Sequence, residues 1–252
     1  MTHQTTVLHG PTDIIEDFAF SPNDQLVATA DAASAARLWD TATGNPVHTF
    51  STVTNSVRVA FSQDGSKLAI GSDDGTVHLF DPATGNELAT FTGHRMMVTA
   101  LAFSPDGTML ASGSRDATVR LWDVPARTAL RTLTGFTDYI DCLAFSPDET
   151  VLLAADGGGV LHRRQVSSGL EGTHRPLFGV PRAISADGGT LLVEGGADHR
   201  AHVWELNQDT EVASLPGFER GTAALSTDGR ALAMIGYTGT AESPLQLWRL
   251  RP

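Results

Sequence analysis

Val98 to Phe103 places apolar side chains on both alternating faces, the pattern of a strand covered on two sides. Pro105-Asp106-Gly107 then reads as a turn, proline presetting φ and glycine permitting positive φ. Met109 to Ser114 predicts a second strand, Arg115-Asp116-Ala117 a second turn, and Thr118 to Asp123 a third strand with β-branched residues. Pro125-Ala126-Arg127 breaks the pattern before a fourth strand, Ala129 to Thr134. Four short strands joined by tight turns make a meander that cannot bury both of its faces alone. Stacking copies side by side buries them and hides most edges.

The same pattern returns along the whole chain. A serine closing a short apolar run recurs at Ser21, Ser62, Ser104, Ser146, Ser185 and Ser226, in steps of 41, 42, 42, 39 and 41. A second anchor follows in step at Trp39, Phe80, Trp122, Arg164, Trp204 and Trp248. Two anchors in register mean six copies of one supersecondary unit. They fall at about residues 11–50, 51–92, 93–134, 135–175, 176–215 and 216–252, with residues 4–9 added to the last. The last two copies fade, to Ile184-Ser185-Ala186-Asp187-Gly188 and Leu225-Ser226-Thr227-Asp228-Gly229. Gln165 to Pro176 reads as a long loop between copies.

Gly93-His94, Phe103-Ser104-Pro105-Asp106-Gly107, Asp116 and Leu121-Trp122-Asp123 closely resemble the signature of the WD-repeat β-propellers, over nearly the whole chain. The resemblance implies an all-β fold, a propeller of four-stranded antiparallel blades. It also implies a buried hydrogen-bonded tetrad, which here falls on His94, Ser112, Asp116 and Trp122. Only the third copy carries all four residues. The second keeps Asp74 but has Phe80 for the tryptophan, and the fourth has Arg164 there, which implies looser packing in that blade.

Thr5-Thr6-Val7-Leu8-His9-Gly10 matches Ala89-Thr90-Phe91-Thr92-Gly93-His94, a fourth strand and its exit, whereas Leu245 to Leu250 reads as a third strand with none after it. The expectation is therefore one domain over residues 1–252, a six-bladed propeller whose N-terminal strand completes the C-terminal blade.

Composition narrows the function. The chain has 252 residues, 41% of them apolar, enough to bury a core. Its 29 acidic and 17 basic residues give a net charge of −12, which argues against nucleic acid and anionic membrane. Partners with basic or neutral contact surfaces fit better. The single cysteine, Cys142, excludes an internal disulfide and reads as a small core residue. Met1-Thr2-His3-Gln4 lacks the charged and apolar regions of a signal peptide, so a cytoplasmic monomer is expected. Sixteen arginines against one lysine, Lys67, point to a bacterial, GC-rich coding bias.

Catalytic signatures are missing. The sequence holds no Gly-x-Ser-x-Gly elbow, P-loop or His-Glu-x-x-His helix, and its Asp-Gly pairs sit at hairpin turns and lack the further oxygens of a calcium loop. His162, His174, His199 and His202 crowd the fourth and fifth copies without the spacing that would force a metal site, so neither metal nor cofactor is expected.

The resemblance places recognition on the face made by the approaches to the first strands and the turns between second and third strands. There the repeat register sets Met97, Tyr139 and Phe178, with Arg115 and Asp141 between them. Met, aromatics and Arg are enriched at the buried centres of interfaces. The expected function is thus a non-enzymatic scaffold that binds a protein or peptide partner. The alternative is a small-molecule binder or enzyme of a bacterial biosynthetic pathway, with its site at the central channel mouth. In it Glu16 and Asp141 would be the acid and base, and Arg115 would orient an anionic substrate.

Overall fold

The computed structural model describes residues 15–31, 35–50, 56–177, 179–185, 189–194, 200–206, 210–216, 222–225, 231–235 and 246–249. The chain divides into two compact units, Met1–Thr134 and Gly135–Pro252, a boundary that falls between the third and fourth copies. Every regular element in the described residues is a strand.

The first unit holds three sheets, each a meander in chain order. They are β1 (Ile15–Phe20), β2 (Leu26–Asp31), β3 (Ala35–Asp40) and β4 (Pro46–Phe50); then β5 (Ser56–Phe61), β6 (Leu68–Ser72), β7 (Val77–Phe80) and β8 (Glu87–Phe91). The third is β9 (Val98–Phe103), β10 (Met109–Ser114), β11 (Val119–Asp123) and β12 (Thr128–Leu133). The second unit continues with β13 (Ile140–Phe145), β14 (Val151–Asp156), β15 (Val160–Gln165) and β16 (Glu171–Pro176). Next come β17 (Val180–Ile184), β18 (Thr190–Glu194), β19 (Arg200–Glu205) and β20 (Thr210–Pro216). Last are β21 (Thr222–Leu225), β22 (Ala231–Ile235) and β23 (Gln246–Arg249).

Two expectations change. Among the described residues there are five four-stranded blades, not six, because the last copy forms the three-stranded sheet β21-β22-β23 there. Within the described residues that copy contributes only these three segments, so no fourth strand pairs with β23 there. The strand expected to complete it, residues 4–9, lies outside the described residues. The loop expected over Gln165 to Pro176 ends instead in β16, which pairs with β15 from Val160↔Pro176 to Arg164↔Glu171.

The recurring serine has a local cause. The Oγ of Ser62 donates to Asp64 at 2.6 Å and accepts the Lys67 N–H at 3.0 Å, closing the turn between β5 and β6. Ser21, Ser104 and Ser146 repeat both bonds, to Asn23, Asp106 and Asp148 and from Leu26, Met109 and Val151. The acidic side chain then caps the amide two residues on, as Asp106 does for Thr108 at 2.8 Å. The turn is thus stapled twice by side chains that would otherwise compete with it.

These bonds hold the Asp64 carboxyl down to about 2 from its ordinary 3.8, the Ser62 hydroxyl contributing most, then the Ser66 amide and hydroxyl. A lowered carboxyl stabilises the fold fully above its unfolded value and loses that contribution as pH falls through the folded one. The melting-temperature gap between wild type and Asp64→Asn should therefore be constant near neutral pH and close between about pH 3.8 and 2. The carboxylate is exposed, so the gap is small. A gap that widens in acid would contradict this assignment.

Core residues sit between neighbouring sheets. Ala28, Leu38, Phe50, Leu68, Ile70 and Phe80 fill the space between the first and second, and Leu79, Phe91, Val98, Leu110 and Trp122 that between the second and third. In the second unit Cys142, Leu153, Leu161, Leu191 and Val193 do the same. The second strand of each four-stranded blade is buried along most of its length, which explains its apolar residues on both faces. Contact is close enough that a side chain at Gly71 would meet Val98 Cγ1 at 2.6 Å.

Candidate functional site

In the third blade, four side chains from different strands and loops converge. Ser112 stands mid-way along β10 and Trp122 on β11, and both are buried. The Trp122 indole N–H donates to Ser112 Oγ at 2.8 Å, and His94 Nε2 lies 2.8 Å from the same oxygen. His94 Nδ1 faces Asp116 Oδ2 at 3.2 Å. One proton arrangement satisfies all of them: Nδ1–H donates to Asp116, the serine hydroxyl donates to Nε2, and the serine oxygen accepts from tryptophan. That arrangement needs a neutral imidazole. Burial, opposed by Asp116, lowers the His94 pKa and so favours it.

Asp116 also holds a loop. It accepts the Arg95 amide at 2.9 Å and the Thr118 hydroxyl at 2.6 Å. Burial acts to raise its carboxyl, but the Thr118, Arg95 and His94 bonds outweigh that and leave it lowered. Beside it the Ser114 hydroxyl donates to Met96 O at 2.9 Å, and the Arg115 amide donates to Met97 O at 2.9 Å. Three bonds thus fasten the segment 95–97 onto the turn 114–116. The side chains of Arg95, Met96 and Arg115 are exposed there, and Met97 is half-buried.

The fourth blade carries a network that sequence reasoning missed. Phe136, Ala154, Gly158 and Arg164 stand where the third blade has His94, Ser112, Asp116 and Trp122. In place of the tetrad, buried Asp156 accepts the Thr137 amide and hydroxyl at 2.9 and 2.8 Å, the Val160 amide at 3.0 Å and His162 Nε2 at 3.0 Å. His162 Nδ1 meets Glu171 at 3.1 Å, and Glu171 pairs with Arg164 at 3.4 Å. The Arg164 guanidinium lies over the Phe136 ring, 4.9 Å from its centroid. Arg164 is 6% exposed, so the looser packing expected at this position gives way to an ionic filling. One signal was available. His78–Glu87, His162–Glu171 and His202–Glu211 are all nine residues apart and all paired across the third and fourth strands.

The residues expected on the recognition face divide between the units. Met97 and Arg115 belong to the first and are brought together as described. Tyr139 and Asp141 belong to the second, and Phe178 lies outside the described residues. The Tyr139 carbonyl accepts the Gly157 amide at 2.7 Å, and its ring covers that glycine so closely that a Cβ would meet Tyr139 Cε1 at 2.4 Å. Asp141 is half-buried at the bulge between Ile140 and Cys142. Glu16 is exposed in the first unit, at the bulge between Ile15 and Asp17, so the acid and base of the alternative reading come from different units. The neighbouring Asp17 was overlooked. It accepts the Val59 amide at 3.0 Å, and burial raises its carboxyl against the field of Arg58. Arg58 in turn donates to Thr99 O at 2.7 Å, so the first strands of three blades are laced together. Among the described residues no three His, Cys, Asp or Glu side chains converge as metal ligands would.

Four stretches, residues 2–40, 44–81, 85–123 and 127–162, match the family model of the WD domain, G-beta repeat, and together they span more than half of the chain. The chain belongs to the WD40 repeat family. A chain in the solved structure titled "Crystal Structure of Mitotic Checkpoint Complex" shares the fold of this WD40 protein, with a TM-score of 0.79 at 21% identity. The match covers 93% of the WD40 chain and 77% of the other. No curated protein matches. The matched stretches end within the fourth copy, where Arg164 replaces tryptophan and the repeat begins to fade.

Proposed function

We propose that this WD40 chain is a non-enzymatic scaffold that binds a protein or peptide partner through the loops at one end of its strands. WD40 propellers generally serve as protein-interaction scaffolds. The observation that carries the reading here is the fastening of segment 95–97 to turn 114–116, which presents Met96, Met97 and Arg115 on backbone held by three hydrogen bonds. Loops on a rigid scaffold are where recognition concentrates, and a surface already ordered loses little entropy on binding. Met and Arg are also residue types enriched in interface centres. In the second unit Tyr139, braced on Gly157, offers a rigid aromatic at the corresponding loop.

Alanine variants test this against a partner captured from the native cell, with affinity measured by calorimetry. Met97→Ala, Arg115→Ala or Tyr139→Ala should weaken binding by about 2 kcal/mol where the residue is a hot spot. Asp148→Ala, in the turn between β13 and β14 at the other end of the strands, should change little. Loss of binding in Asp148→Ala with all three loop variants unaffected would move the interface to the opposite ends. Turnover of a small molecule that vanishes in Asp141→Asn or Glu16→Gln would overturn the scaffold reading.

A further inference from the structure

At the other end of the strands in the first unit, a cavity of about 350 Å³ opens between the second and third blades. The β5–β6, β9–β10 and β11–β12 turns line it, with Leu88 and Val124 as apolar lining and Lys67 and Arg127 as cations. Both cations depart from the chain's own repeat. Lys67, the only lysine in the protein, stands five residues after the turn serine, where other copies have Leu26, Met109 and Val151. Arg127 stands five residues after Trp122, where the equivalent turns have Gly44, Gly85 and Gly169, all at φ 72°. Arg127 keeps that left-handed conformation, at φ 59°, without being glycine. Asp24, Ala117 and Glu149 do the same at other turns, but of the four only Arg127 brings a long cation, and it lines the cavity.

The charges in the cavity are unequally engaged. Asp64 and Asp106 also line it, but their carboxylates already serve their own turns. Asp64 accepts from Ser62, the Ser66 amide and the Ser66 hydroxyl, and Asp106 from Ser104, the Thr108 amide and the Thr108 hydroxyl. The Lys67 ammonium donates to the Ser66 hydroxyl at 3.2 Å. Neither Lys67 nor Arg127 has an ion pair among the described residues. A guanidinium and an ammonium with spare donors beside an apolar wall suit an anionic head group on an apolar stem.

We propose that this cavity is a binding site for a ligand bearing a phosphate or carboxylate on a small apolar body, held by Lys67 and Arg127. It lies at the opposite ends of the strands from Met97 and Arg115, so its test is independent of the partner-binding reading. The probes are phenyl phosphate and benzoate, titrated calorimetrically into the full chain at low salt, with phenol as the neutral control. Saturable binding of at least one anion is expected, and the tighter of the two identifies the head group. Lys67→Met and Arg127→Gly restore residues that the repeat uses elsewhere, and each should weaken binding roughly tenfold. Arg127→Gly should also melt at or above the wild-type temperature, because glycine relieves the left-handed backbone, so its weaker binding cannot come from misfolding. The proposal fails if neither anion saturates, if phenol binds as well as the anions, or if Arg127→Gly binds like wild type.

Discussion

Asp156→Ala is expected to destabilise the second unit by about 3–5 kcal/mol, the range for breaking a buried charged network from one side. The variant removes the acceptor for the Thr137 amide, the Thr137 hydroxyl, the Val160 amide and His162 Nε2, in a site where Asp156 itself is wholly inaccessible. His162 would keep Glu171 on its other nitrogen but lose its buried hydrogen-bond partner. Asp156→Asn keeps an acceptor and should cost less. Burial alone would raise the Asp156 carboxyl, but the bonds from His162, Thr137 and Val160 leave it lowered from 3.8. Its contribution is therefore present above that pH and disappears in acid, so the melting curves of wild type and Asp156→Ala should converge as pH falls below 3.8. Thermal melts across pH decide it. An alanine variant that melts with wild type at neutral pH would mean the network carries no net stability.

Ser112→Ala should cost about 2–6 kcal/mol, since each buried group left unsatisfied costs about 1–3. Two are left: the Trp122 indole N–H and His94 Nε2, both bonded to Ser112 Oγ at 2.8 Å. The Ser-His-Asp composition invites a catalytic reading, but the serine hydroxyl is enclosed between β10, β11 and the His94 ring, with no room for an acyl group. Denaturant melts measure the loss. A serine-directed fluorophosphonate that labels Ser112 in the folded protein would overturn the structural role.

The strands were legible because two local signals agreed at each of them: alternating or two-faced apolar runs, and turns written in Ser, Pro, Asp and Gly. β9, β10, β11 and β12 fall within a residue of the segments read from sequence. Register then carried residues as far apart as His94 and Trp122 to one place, since a repeat turns distance along the chain into position in a blade. What failed was whatever depended on pairing rather than on pattern. β16 has little apolar alternation in Glu171-Gly172-Thr173-His174-Arg175-Pro176, and it is a strand through its ladder to β15 and the Glu171 contacts with His162 and Arg164. The number of four-stranded blades differs for the same reason, since a strand from residues 4–9 would complete the last sheet only by pairing, and those residues lie outside the described ones. Arg164 in a tryptophan's place implies looser packing only when taken alone; Glu171 and Phe136, which make it a core residue, are both in the sequence. The cavity at Lys67 and Arg127 was invisible until three turns from two blades were placed side by side.

Burial falls off from the second strand of a four-stranded blade to its fourth. The second strand is enclosed, whereas a fourth strand such as Thr128–Leu133 is exposed at every position but its last. Thermal fluctuation therefore enters a blade from its fourth strand and weakens toward its second. The segment 95–97 leads into β9, and the turn 114–116 joins β10 to β11. Neither belongs to β12, so fraying of that outermost strand is expected to leave the backbone that presents Met96, Met97 and Arg115 in place.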